Sequence, residues 1–352
     1  QNRKIRFQFL EKNSKRPKKG AQKGHIGYHK KMPSPQKSIR LRRRGKCYKH
    51  KGEILLPTEI ISKRIRIDLV LTKNGIRKTI TKYFGTLGYC SKCYRNYCPP
   101  GIEKMGRHVY GHAFQGWAVY ERDFLRLPYR IIVQSLVDLF NEKVTEATIV
   151  NFITNMALYY KKTESLIIKR ILNSPYIHVD ETKINIRGEM QWVWIFSDLN
   201  NVYLKHTETR EADIVHEFLS GYDGVLISDF YPGYDSVPCT QQKCWSHLIK
   251  DINDDLLKAP FDTEFSLFAK EINDLIVPVI QAIDKYGLKK RHLNKFRKGV
   301  EKFYKTTILN SYFKSEVAIK YQKRFSKYRG SLFTFLEYDK IPWNNNTAER
   351  GL

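Results

Sequence analysis

Three acids stand at the ends of different kinds of segment: Asp180 closes the apolar run YIHVD, Asp229 closes GVLISD, and Glu349 follows the turn WNNNTA. Apolar runs of this length bounded by turn residues predict buried strands, so both aspartates fall where a sheet ends and a cleft begins. Glu349 lies in the first turn of a predicted helix capped by Asn346 or Thr347. Three converging carboxylates form the all-oxygen ligand set of hard Mg2+, or of Mn2+. A pair of such ions held by Asp180, Asp229 and Glu349 would clamp a scissile phosphate, the usual arrangement of phosphodiester chemistry. An Asp after a strand is also an ordinary turn former, so the acids carry weight together rather than singly. Glu181, next to Asp180, points to the opposite face if the strand continues.

A second ligand set is softer. Cys47-Tyr-Lys-His50 precedes, and Cys90-Ser-Lys-Cys93 follows, two β-branched runs, RIRIDLVLT and RKTITKYF, joined at Asn74-Gly75. Asn-Gly between such runs is the strongest short hairpin signal, and closing the hairpin brings the two ligand pairs face to face. Cysteine and histidine in fours are the tetrahedral set of structural Zn2+, held in a ribbon-like module. Cys98 is the alternative fourth ligand if His50 is not one. The chain has six cysteines and no secretory signal, which argues against a disulfide framework.

Charge identifies the partner class. The 352 residues carry a formal net charge of +28. From Arg3 to Lys51 there are nineteen Lys and Arg against one acid, Glu11. Such an excess is the footprint of a polyanion binder, so double-stranded DNA is the expected partner, gripped by Arg40, Arg42, Arg43, Arg44 and Lys46 beside the first zinc ligand. No run approaches the length of a spanning helix, so a membrane partner is not expected and the protein is placed in the cytoplasm, associated with the nucleoid. The chain starts at Gln1 and stops soon after Glu349, which suggests a fragment at both ends.

The elements that must position these residues suggest an α/β multidomain chain. Residues 1–46 form a basic arm with too few apolar anchors to order it fully. Residues 47–105 form the zinc-ribbon-like module. Residues 106–172 are helical, with breaks at Pro128 and Asn141 and a cap at Thr145; a helix-turn-helix or a purely structural helical hairpin fits them equally. From 173 to 352 come strands at 176–180, 190–197 and 201–206, an amphipathic helix, and a strand at 224–229. These imply a mixed sheet flanked by helices. A helical insertion at about 248–340, broken at Pro260 and Pro278, separates Asp229 from Glu349.

Taken in order, GHAFQGWAVYERDFLRLPYR, SPYIHVDETKINIRGEMQWVWIFSD, GVLISDFYPGYDSV, KCWSHLIKD and WNNNTAERGL resemble successive blocks of the bacterial transposase family named after insertion sequence 66. The resemblance runs from about Cys47 to Leu352. It implies a ribonuclease H-like catalytic core, an Asp, Asp, Glu triad at Asp180, Asp229 and Glu349, and a transposase that binds element ends, cuts DNA and transfers strands. It also gives a role to Cys244-Trp-Ser-His247, since many such enzymes carry a His between the second Asp and the Glu. His247 would orient a phosphate or a water. A homo-oligomer on DNA, with or without accessory proteins, is expected. The family usually has CxxC where this chain has Cys47 and His50. Two alternatives stay open: a nuclease of the same fold without strand transfer, and an inactive DNA-binding remnant of a truncated element.

Overall fold

The computed structural model describes residues 32–50, 52–106 and 108–346, so most of the basic arm and Glu349 lie outside the described residues. The chain divides into two compact units, one ending at Ala157 and the other beginning at Leu158.

The first unit is built on one long hairpin. Strand β1 (Lys37–Arg40) pairs in parallel with β3, while β2 (Leu56–Thr72) and β3 (Gly75–Cys90) pair antiparallel and β4 (Arg95–Tyr97) returns along β3. The turn occupies Lys73 and Asn74, and Gly75 takes the positive φ (+101°) that the connection requires. β1 gives the described part of the arm, expected to be mostly disordered, a short ordered stretch. Its backbone finds an open strand edge, with Gln36 N donating to Ile80 O (2.8 Å) and Leu41 N to Phe84 O (2.7 Å), so few apolar side chains are needed.

Four helices follow: α1 (Pro100–Met105), α2 (His112–Asp123), α3 (Tyr129–Phe140) and α4 (Glu146–Leu172). Pro128 and Asn141 separate them as the sequence suggests. Asn141 adopts the left-handed conformation that ends α3, and the Thr145 hydroxyl accepts from Thr148 N at 3.2 Å. Asp68 of β2 caps α2 by accepting from Phe114 N at 2.9 Å. Ile67, Leu69 and Ile80 of the hairpin share one core with Phe114, Ala118, Ile132, Leu136, Phe140, Ile149 and Phe152 of the helices.

The second unit contains a five-stranded mixed sheet in the order β7-β6-β5-β8-β9. Its strands are β5 (Tyr176–Ile186), β6 (Glu189–Ser197), β7 (Val202–Thr207), β8 (Val225–Ser228) and β9 (Thr240–Lys243); β5, β6 and β7 form an antiparallel meander, whereas β8 and β9 run parallel to β5. The amphipathic helix before β8 is short, α5 (Asp213–Phe218). Period-two alternation sends Ile177, Val179 and Leu226 into one core with Trp194, Val215 and Tyr234. Tyr176, Val225 and Ile227 enter the other, built on helices α6 (Trp245–Lys258) and α7 (Thr263–Tyr286). Further short helices α8 (Lys290–Leu293), α9 (Arg297–Phe303), α10 (Glu316–Lys327) and α11 (Arg329–Leu332) complete that layer.

Two sequence expectations change here. Pro278 does not break the helix: α7 passes through it, because buried Phe268, Ile272, Ile276, Val279 and Ala282 hold the helix to the core on both sides of the missing N–H. Strand β9 was not foreseen, since TQQK is polar throughout. Gln242 and Lys243 are nevertheless completely buried.

Candidate active site and metal centre

β5 has two lengths. Against β6 it continues to Ile186, but its pairing with β8 stops at His178 opposite Ile227. Asp180 therefore sits within a strand rather than at its end, two residues beyond the last pair, and Asp229 sits two residues beyond the same pair on β8. The alternation that sends Tyr176, Val225 and Ile227 toward α6 and α7 puts Asp180 on that face. Asp180 Oδ1 accepts from Glu181 N at 2.9 Å, and Asp229 Oδ1 accepts from Tyr231 N at 2.8 Å. Burial, with the nearby charges of Asp229 and Glu181, pushes the Asp180 carboxyl up to about 6, against the opposing pull of His247 and the backbone bond. His247 lies in the first turn of α6, just beyond Cys244 at the helix N-cap.

Glu181 faces the other core. Its carboxylate accepts from Arg210 Nε at 2.9 Å and from the Tyr234 hydroxyl. Burial raises the pKa of Glu181 despite these donors, and the pKa of Tyr234 is also raised, first by burial and then by the Glu181 charge. Arg210 in turn lies over the rings of Trp192 (4.8 Å) and Tyr231 (4.0 Å).

Three supporting residues went unnoticed in the sequence. Lys243, fully buried on β9, donates to Ser228 Oγ at 3.2 Å and pairs with Asp235 at 3.1 Å. Burial pulls Lys243 below the ordinary lysine range, and the Asp235 carboxylate opposes that shift. Burial raises Asp235, but Lys327 (2.7 Å) and Lys243 outweigh it and hold the carboxyl low. Ion pairs thus brace the turn after Asp229 against β9 and α10. The third residue is Asn345, also fully buried. Its Nδ2 donates to Val179 O (2.9 Å), its N donates to Cys244 Sγ (3.1 Å), and its Oδ1 lies 2.8 Å from His178 Nδ1. Because the amide nitrogen is spent on Val179, Oδ1 must accept, which fixes the proton of His178 on Nδ1. The WNNN run is thereby sewn to the strand that carries Asp180. A run of asparagines before an acid was visible as letters, but a buried amide bridge was not.

In the first unit, Cys47, His50, Cys90 and Cys93 bring their ligand atoms within 4.8 Å of one another. Cys47 Sγ is 3.9 Å from both Cys93 Sγ and His50 Nδ1, and Cys90 Sγ is 3.7 Å from His50 Nδ1. Sulfurs about 2.3 Å from a tetrahedral zinc would be about 3.8 Å apart, so the set fits that ion. Burial pushes the Cys47 thiol up, yet hydrogen bonds from Tyr97 and the backbone of His50 and Lys49 bring it down to about 6, favouring the thiolate. Cys98 lies elsewhere, 3.7 Å from Ser62 Oγ, so the geometry selects His50. Of the five basic residues singled out beside this cluster, Arg40, Arg42 and Lys46 are exposed, whereas Arg43 and Arg44 are partly buried and Arg44 pairs with Glu103.

The sheet, both aspartates and the helical layer fall inside residues 107–352, which match the transposase IS66 family. The chain belongs to this family. Transposase family membership makes it an enzyme that handles DNA, and makes DNA its partner. The match starts after the Cys47, His50, Cys90 and Cys93 cluster, which rests on its own geometry. No curated protein matches the chain. No helix among the described residues is long and apolar enough to cross a membrane.

Proposed function

We propose that this chain is the transposase of an insertion sequence, which binds the element's ends, cleaves DNA there and joins the freed 3′ end to a target. The observation that carries the proposal is the placement of Asp180 and Asp229 at matching positions beyond the last β5–β8 pair. The mixed sheet with helices packed on it supports the ribonuclease H-like reading of the second unit. Asp180, Asp229 and Glu349 would hold two Mg2+ or Mn2+ ions, a role fitted by a carboxyl whose ionisation is costly until a cation arrives. When bound, such a pair neutralises charge on the scissile phosphate and its leaving oxygen. His247, close enough to lower the pKa of Asp180, orients the phosphate or the attacking hydroxyl. Lys243 and Asn345 keep the acid-bearing segments in place. In the first unit, Cys47, His50, Cys90 and Cys93 hold one structural Zn2+, and Arg40, Arg42 and Lys46 follow the phosphate backbone.

Asp180→Ala, Asp229→Ala and Glu349→Ala should each abolish cleavage of a labelled element end in Mg2+ while leaving end binding nearly intact. Their losses should not add, because a site missing one ligand is already broken. Substantial cleavage by either aspartate variant would refute the assignment. Cleaved but never joined products from the wild type would instead favour a nuclease, and binding without any cleavage would favour an inactive remnant.

A further inference from the structure

The second unit is electrically divided. Residues 171–280, which hold the sheet, α6 and most of α7, carry eighteen acids against eight Lys and Arg. Residues 281–330 carry fifteen Lys and Arg against three acids. Within this basic part, Arg291, Lys295, Lys298, Lys302 and Lys305 recur at steps of four, three, four and three residues, the repeat of one helical face. They span α8, a turn of 3-10 helix, α9 and the π-helical turn 304–308, a nearly unbroken helical path. All five are exposed, whereas Leu293, Val300, Phe303, Tyr304 and Ile308 on the same path are buried in the core.

Among the described residues none of the five cations forms an ion pair; the nearby acids are engaged elsewhere, Glu301 with Arg329 (2.7 Å) and Glu337 with Arg297 (3.1 Å). His292 registers the local field: burial, then the charges of Arg291, Lys289 and Lys295, lower its pKa. Fourteen helical steps cover about 21 Å. At 3.4 Å per nucleotide along one strand, that matches about six consecutive phosphates.

We infer that this stripe, Arg291 to Lys305, is a second DNA-contact surface that tracks the backbone of a duplex without reading its sequence. Four of its five members are lysines, point charges suited to phosphates rather than base edges. The inference rests on the proposal that the chain acts on DNA, and it adds a grip within the catalytic unit, apart from the zinc module.

The test uses the full chain carrying Lys295→Ala, Lys298→Ala and Lys302→Ala together, with Mg2+ and Mn2+ left out to prevent cleavage. Binding to a random-sequence duplex and to an element-end duplex is measured by anisotropy from low to moderate salt. The slope of log affinity against log salt should become shallower by about 2.7, since each lost phosphate contact removes about 0.9. A change on both duplexes supports a backbone grip that does not read sequence, and a change confined to one overturns it. An unchanged slope on both overturns the inference. So does an equal change from a control triple on α4, Lys161→Ala, Lys162→Ala and Lys169→Ala, because net charge alone would then explain it. If the wild type cleaves in Mg2+ yet the slope is unchanged, the stripe fails and the catalytic proposal stands; if the slope falls but the wild type never cleaves, the reverse holds.

Discussion

The two candidate ligand sets of this protein are built on opposite plans. Cys47, His50, Cys90 and Cys93 come from two three-step spacings at the ends of one hairpin and bring their ligand atoms within 4.8 Å of one another. Asp180 and Asp229 come from neighbouring parallel strands and are braced from behind by a buried lysine and a buried asparagine. A closed ligand set spends its metal on folding, and an open one leaves room for a substrate. The difference also shows in what surrounds each site. Among the described residues, the buried cluster that includes Cys47 and Cys90 adds Leu55 and Tyr97, whereas the strands that carry the acids contribute to two large cores.

The largest effect should come from removing the zinc proposed for the cysteine cluster. Structural zinc contributes on the order of 10 kcal/mol in small modules. Chelation, or Cys90→Ser with Cys93→Ser, should therefore unfold the cluster region and release one equivalent of metal, read by metal analysis and by circular dichroism. A double variant that keeps a full equivalent of zinc would end the contrast. Next in size is Lys243→Ala. It strands Asp235 and Ser228 beside a cavity and should cost about 3 kcal/mol in urea unfolding, the lower end for a broken buried pair because Lys327 still reaches Asp235. Lys243→Met should recover part of that loss by restoring volume.

The smallest expected effect has the opposite sign. Asp180 has a folded pKa near 6, above the ordinary aspartate value, so its protonation favours the native state at low pH and this contribution disappears as pH rises through 6. Without added Mg2+ or Mn2+ at pH 7.5, Asp180→Asn should thus raise stability by about 1–2 kcal/mol, a figure reduced for the carboxyl's partial contact with water. The gain should fade as pH drops from 6 toward 4. Equal melting temperatures at pH 7.5 would show that Asp180 is not strained by its surroundings.

The sequence made the cysteine cluster legible because its spacing is local and its hairpin is announced by Asn74-Gly75. The apolar runs before Asp180 and Asp229 revealed β5 and β8 for the same reason. β9 stayed hidden, because its polar side chains are buried for partners that no local pattern shows: Gln242 donates to Leu332 O (3.0 Å) and accepts from Phe335 N (3.0 Å). Pro278 misled in the other direction, since tertiary packing overrides one missing backbone bond. β1 forms because β3 offers an edge, which composition cannot report.

Asn345 joins Val179 across 166 residues, a separation that ties the site to the order of synthesis. At about 5–20 residues per second, the strand bearing Asp180 waits roughly 8 to 33 s before Asn345 is even made. The hairpin and helices of the first unit are complete before that interval begins. A nascent chain therefore passes through a stage in which its N-terminal unit is finished while the Asn345 bridge to the strand bearing Asp180 does not yet exist. The long helical stretch acts as a delay line that sets the order in which the two units are finished.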